Sequence, residues 1–138
     1  MDERIKERSH ILIVDDDENL RLSLKIFLAK DGYCKISDVS SYEEALEILA
    51  TQNINLIISD IILKGASGMD LLRQVREMGL KCPVVMITGY PSEKTTSESD
   101  QLGAFEYMHK PVKKDDFLRV TREALQQHIS LNAKEKNS

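Results

Sequence analysis

The chain has 138 residues, 41 % of them hydrophobic and 30 % charged, which fits one ordinary globular domain able to bury a core without disulfides or a structural zinc. Its net charge of −4 excludes general affinity for nucleic acid, which needs clustered cations. No apolar run approaches the roughly 20 residues of a membrane span, the charged Met1–Arg8 segment lacks the apolar stretch of a signal peptide, and Cys34 and Cys82 match no metal spacing.

Residues 1–9 are polar and are expected to form a flexible arm. The first strong element is Ile11-Leu12-Ile13-Val14, an unbroken β-branched and aliphatic run suited to a strand covered on both faces. It stops at Asp15-Asp16-Asp17. Leu20, Leu24, Phe27 and Leu28 then follow helical spacing, and Gly32 is placed to end that helix. A weaker strand spans Cys34 to Val39. Tyr42, Ala45, Leu46 and Leu49 form the next helical stripe, begun at Ser41 with Glu44 three residues on, as in a capping box. Leu56-Ile57-Ile58 reads as a strand ending in Ser59-Asp60. Leu71, Leu72, Val75 and Met78 give a third helix, closed by Gly79. Val84-Val85-Met86-Ile87 is a further strand, ending in Thr88-Gly89.

Ser92 to Gln101 contains no aliphatic residue, so a helix there would have almost nothing to bury. A parallel sheet nevertheless needs a crossover at that point, and a short or mobile helix is expected. Phe105 to Met108 is a weak strand followed by His109-Lys110-Pro111. Phe117, Val120, Thr121, Ala124 and Leu125 form the last stripe, opened by Asp115-Asp116. Residues 128–138 read as a polar tail or the start of a linker.

Strand and helix alternate about five times, which implies a doubly wound α/β domain over residues 10–127 with a parallel sheet. Ligands of such sheets bind beyond the C-terminal strand ends, at the switch in strand order. Asp15-Asp16-Asp17, Asp60, Thr88 and Lys110 all follow separate predicted strands, so acids, a hydroxyl and an ammonium converge on one edge. Like carboxylates about 4 Å apart repel by about 1 kcal/mol in water and about 4 kcal/mol at an effective dielectric of 20, so the group needs a cation. An all-oxygen cluster suits Mg²⁺. A carboxylate beside that ion, an ammonium and a hydroxyl can act as a nucleophile toward phosphorus. Asp17 reads as a helix N-terminal carboxylate.

Ile11-Leu12-Ile13-Val14-Asp15-Asp16-Asp17, Leu56-Ile57-Ile58-Ser59-Asp60, Val85-Met86-Ile87-Thr88-Gly89 and Tyr107-Met108-His109-Lys110-Pro111, at their mutual intervals, closely resemble the receiver domain of two-component response regulators. The resemblance covers about residues 10–127. It implies a flavodoxin-like five-stranded parallel sheet in the order 2-1-3-4-5 with about five helices. It further implies that Asp60 is the phosphoacceptor and that Asp16 binds Mg²⁺ directly and Asp15 mainly through water. Asp60 and the backbone carbonyl of Ile62 complete the ligands. Thr88 and Lys110 contact the phosphoryl oxygens, and Tyr107 is an aromatic switch that turns as Thr88 moves. The implied partner is a sensor histidine kinase or phosphotransfer protein in the cytoplasm, with homodimerisation on phosphorylation as a further expectation. Conventional turnover, direct nucleic-acid binding and membrane association are not expected.

Two competing readings fit less well. A phosphatase resembling the haloacid dehalogenase group would use Asp15-x-Asp17 and leave Asp60 unexplained. A flavodoxin-like cofactor module would meet three aspartates where it needs a phosphate loop. Whether the domain stands alone or belongs to a larger regulator is left open by the sequence.

Overall fold

A computed structural model describes the backbone of residues 3–136 and the side chains of residues 3–132. Met1 and Asp2 of the N-terminal arm, and Asn137 and Ser138 of the polar tail, lie outside the described residues. The elements run α1 (Glu3–Arg8), β1 (His10–Val14), α2 (Glu18–Lys30), β2 (Lys35–Val39), α3 (Tyr42–Thr51), β3 (Leu56–Asp60), α4 (Gly68–Glu77), β4 (Val84–Thr88), α5 (Glu93–Gln101), β5 (Glu106–His109) and α6 (Lys114–Lys136). The five strands form one parallel sheet in the order β2-β1-β3-β4-β5, as the resemblance implies.

Alternation along the strands divides the core into two layers. Leu12, Val14, Ile57, Val84 and Met86 pack with Ala45 and Leu49 of α3 and Leu71, Leu72 and Val75 of α4. Ile11, Ile13, Leu56, Ile58, Val85 and Ile87 pack with Leu24 and Leu28 of α2 and Phe117, Val120, Ala124 and Leu125 of α6. Both faces of β1, β3 and β4 are thereby covered, which is why those strands read as continuous apolar runs.

The caps explain where the helices begin and end. Asp17 caps α2, its carboxylate accepting from the N–H groups of Asn19 and Leu20, and Gly32 (φ +102) follows the helix end in the left-handed region. The box expected at Ser41 is half formed. Ser41 accepts from Glu44 N, but the Glu44 carboxylate accepts from Ser40 N rather than from the cap. A complete box opens α4, where Ser67 and Asp70 bond each other's backbone N–H.

Within the N-terminal arm Glu3–Arg8 forms a short helix, so the described residues hold six helices, five of them longer than six residues, in line with the expected five or so. The apolar content of α1 is too small to signal a packed element; polar contacts hold it instead. Lys6 Nζ donates to the carbonyl of Asp31 at 2.8 Å, lies 3.5 Å from the Asp31 carboxylate and sits 5.7 Å from the Tyr33 ring centre. At the other end, the polar stretch after residue 127 continues α6 to Lys136. No helix of the described residues is long and apolar enough to cross a membrane.

Candidate functional site

The order of the sheet reverses at β1, whose neighbours are β2 and β3, and the C-terminal ends of β1 and β3 flank the crevice so created. Asp15 follows β1 and Asp60 ends β3. Carboxylate oxygens of Asp15, Asp16 and Asp60 all lie within 4.8 Å of one another. Asp15 is 2 % exposed and Asp60 6 %, whereas Asp16 faces solvent. Asp60 still reaches an open cleft of about 450 Å³, lined also by Asp16, Asp17, Ile62, Gly89, Tyr90 and Lys110.

Lys110, just past β5, reaches across the cleft. Its Nζ donates to Asp60 Oδ2 at 2.8 Å and lies 3.2 Å from Asp15 Oδ2. Burial alone would lower the Lys110 ammonium, but the Asp60 hydrogen bond and the Asp15 charge outweigh it and hold the group above its ordinary value. For Asp15 burial dominates. It pushes the carboxyl above the usual carboxylate range with help from the Asp60 charge, while the N–H of Asp17 and the Lys110 ammonium oppose the shift without cancelling it.

The remaining contacts fix the acceptor and its surroundings. Asp60 Oδ1 accepts from the N–H of Ile62 at 3.1 Å. Thr88 is fully buried at the end of β4, and its Oγ1 accepts from the N–H of Tyr90 at 3.0 Å, leaving the hydroxyl proton free to donate. Gly68 begins α4 directly under the acceptor strand, its N–H donating to the carbonyl of Ile61 at 2.6 Å. A Cβ there would run into the carbonyl oxygen of Asp60, so α4 can pack this closely only with glycine.

The structure therefore brings together Asp15, Asp16, Asp60 and Lys110, with Thr88 at the end of the next strand. Asp17 is engaged as the α2 cap, which removes it from the paired-acid role that the phosphatase reading needs. Tyr107 is half-buried in β5, outside the cleft lining. Its hydroxyl is 2.7 Å from Thr95 Oγ1 of α5, and its ring meets His109 edge-on. Thr95 was not legible in advance because α5 lacks an apolar stripe; a hydroxyl pair between a helix and a strand leaves no periodic trace. Arg21 was also missed. It lies behind the acids, donating to the backbone carbonyl of Asp15 at 2.7 Å.

The three carboxylates fit a hard divalent ion. All donors are oxygen, they come from a span that one ion can bridge, and a carboxylate whose charge is penalised by burial gains from a nearby cation. Fold and site together define a doubly wound domain with an acidic, lysine-bridged centre at the switch in strand order. The chain belongs to the response regulator receiver domain family, whose profile matches residues 11–122, and it is a receiver domain of a two-component response regulator.

Among similar proteins, the transcriptional regulatory protein GlrR of Escherichia coli is 31 % identical over 119 residues, covering 86 % of this chain and 27 % of GlrR. The crystal structure of a CheY-like response regulator receiver domain protein from Methanospirillum hungatei superposes with a TM-score of 0.84 at 31 % identity, covering 88 % of this chain and 97 % of that one. The beryllofluoride-activated NtrC4 receiver domain dimer matches with a TM-score of 0.81 at 25 % identity, over 86 % of this chain and 98 % of that one. The chain spans between 27 and 53 % of the length of the curated relatives it matches.

Proposed function

We propose that Asp60 takes a phosphoryl group from a phosphohistidine of a sensor kinase or phosphotransfer protein. The observation that carries the reading is Asp60 itself: a carboxylate within 4.8 Å of two other acids, bonded at 2.8 Å to an ammonium, and open to a cleft. An Asp60 carboxylate oxygen attacks phosphorus, an O–P bond forms as the P–N bond breaks, and the imidazole, which carries a proton on its other ring nitrogen, leaves as a neutral ring. Lys110 follows the charge from the carboxylate to the phosphoryl oxygens, and the Thr88 hydroxyl donates to one of them.

Mg²⁺ held by Asp16, Asp60 and the Ile62 carbonyl would offset charge on the equatorial phosphoryl oxygens. Asp15 contributes mainly through water. Its Oδ1 accepts from Asp17 N at 2.8 Å and its Oδ2 faces Lys110 at 3.2 Å. Phosphorylation draws Thr88 toward the phosphoryl group and releases Tyr107 to turn. That switch changes how the domain meets a partner protein, an attached output module or a second copy of itself; dimerisation is supported by the activated NtrC4 dimer. The domain spans residues 10–127 and works in the cytoplasm, without contacting nucleic acid itself.

The test is incubation with Mg²⁺ and acetyl phosphate, followed by intact mass measurement. The protein should gain the mass of one phosphoryl group, chelation should prevent the gain, and Asp60→Asn should abolish it. An unmodified wild type, or a modified Asp60→Asn protein, rejects the reading.

A further inference from the structure

We infer that Arg21 is a positioning residue of the acidic centre, holding the peptide that joins Asp15 to Asp16 in the orientation that Mg²⁺ requires. The inference rests on the magnesium reading above. Arg21 lies on α2 with its side chain 15 % exposed. Its Nη1 donates to the backbone carbonyl of Asp15 at 2.7 Å, and its Nε donates to Asp38 Oδ2 at 2.9 Å. Asp38 is on β2, where it pairs in register with Ile13 of β1, and its other oxygen accepts from Lys25 Nζ at 2.9 Å. Burial would raise the Asp38 carboxyl, but the bonds from Lys25 and Arg21 outweigh it and hold the group below its usual value, so the anchor stays charged. One guanidinium thus ties a helix and an edge strand to the first residue past β1.

The tie matters because a peptide unit is planar. Fixing the Asp15 carbonyl also fixes the N–H and Cα of Asp16, and so the point from which its carboxylate side chain starts. A charge-assisted bond from a rigid fork does this better than water. Mg²⁺ tolerates little departure from octahedral geometry, so its affinity is sensitive to that starting point.

Charge and geometry make opposite predictions. A cation behind a dication site repels the ion, so if Arg21 acted only through its charge, its removal would tighten Mg²⁺ binding. If it acts by positioning, its removal loosens binding. A merely structural role would lower the melting temperature and leave the affinity of the folded protein unchanged.

The experiment is calorimetric titration of the full chain with Mg²⁺ for the wild type, Arg21→Met and Arg21→Lys, with thermal melts of each. Arg21→Met keeps the apolar stem and removes the donors. Arg21→Lys keeps the charge but cannot span both anchors, and it decides the matter alone if the Met variant fails to fold. Both should bind Mg²⁺ about tenfold more weakly, the lower end of the effect of removing a group that orients a metal ligand. Affinity equal to or tighter than wild type in a folded variant overturns the inference and leaves the magnesium reading standing. A wild type that binds no Mg²⁺ overturns both.

Discussion

Lys110 Nζ lies 2.8 Å from Asp60 Oδ2, a contact made between residues fifty positions apart, and it is the cation that makes two buried acids tolerable on one sheet edge. Removing it by Lys110→Met leaves Asp15 and Asp60 facing each other. We expect a loss of about 1–3 kcal/mol at neutral pH, less than for a fully buried pair because the Lys110 side chain is 26 % exposed. Saturating Mg²⁺ should restore part of it. Urea unfolding with and without the ion measures both, and equal stabilities of variant and wild type would contradict the assignment.

Asp15 carries a pH signature of its own. Burial raises its carboxyl in the folded state, so between the unfolded and the folded value the folded protein binds more protons. Stability contributed by this group therefore falls as pH rises through that window, and the cost is fully present above it. Asp15→Asn removes the charge and keeps an acceptor for the N–H of Asp17. In chelator it should be more stable than wild type at neutral pH and show a flatter profile as pH rises from the ordinary carboxylate range. Adding Mg²⁺ should stabilise the wild type more than the variant. A variant with the wild-type pH profile would show that the buried acid does not titrate in this way.

Gly68 is where packing and chemistry meet. An added Cβ would collide with the Asp60 carbonyl oxygen and fall 2.9 Å from Ile61 Cα and 2.8 Å from Met86 Cε. Two of those obstacles are backbone and cannot rotate away. Gly68→Ala should cost about 1–3 kcal/mol as α4 is pushed off β3. It should also slow phosphorylation of Asp60, whose carbonyl must move. Urea midpoints and the rate of mass gain with acetyl phosphate report the two effects. A variant as stable as wild type would mean that α4 shifts freely.

The parts of the site that follow β1, β3 and β4 were legible because a doubly covered strand writes itself as an apolar run, and the polar residues that stop the run mark the sheet edge. Asp15, Asp16, Asp60 and Thr88 stood out in this way, whereas Lys110 follows the half-exposed β5 and stood out through its spacing from the others. What escaped were contacts without periodicity. Helix α5 buries Ser99 and bonds Tyr107 through Thr95, yet none of its residues is aliphatic. Helix α1 is held by Lys6 against Asp31 and Tyr33, partners 25 and more positions away. Arg21 lies at the edge of the stripe set by Leu20, Leu24 and Leu28, where an arginine reads as solvated surface until the position of Asp38 is known.

The lifetime of a phosphorylated Asp60 depends on what can aim a water at it. Ile62 and Tyr90 line the cleft beside the acceptor, 52 % and 78 % exposed. Ile62 has no polar atom in its side chain, and Tyr90 places a bulky ring there. Hydrolysis of an acyl phosphate by an unassisted water is slow, and a positioned acid–base group speeds such a step by about a hundredfold or more. The wild-type phosphoform should therefore be long-lived, and Ile62→Asn combined with Tyr90→Glu should shorten its lifetime at least about tenfold, a discount on that figure for an unoptimised geometry. Neither substitution touches the core, so folding should be unaffected. Following the decay by mass after removal of acetyl phosphate separates the cases: equal lifetimes would show that these two side chains do not control access of water to the phosphoryl group.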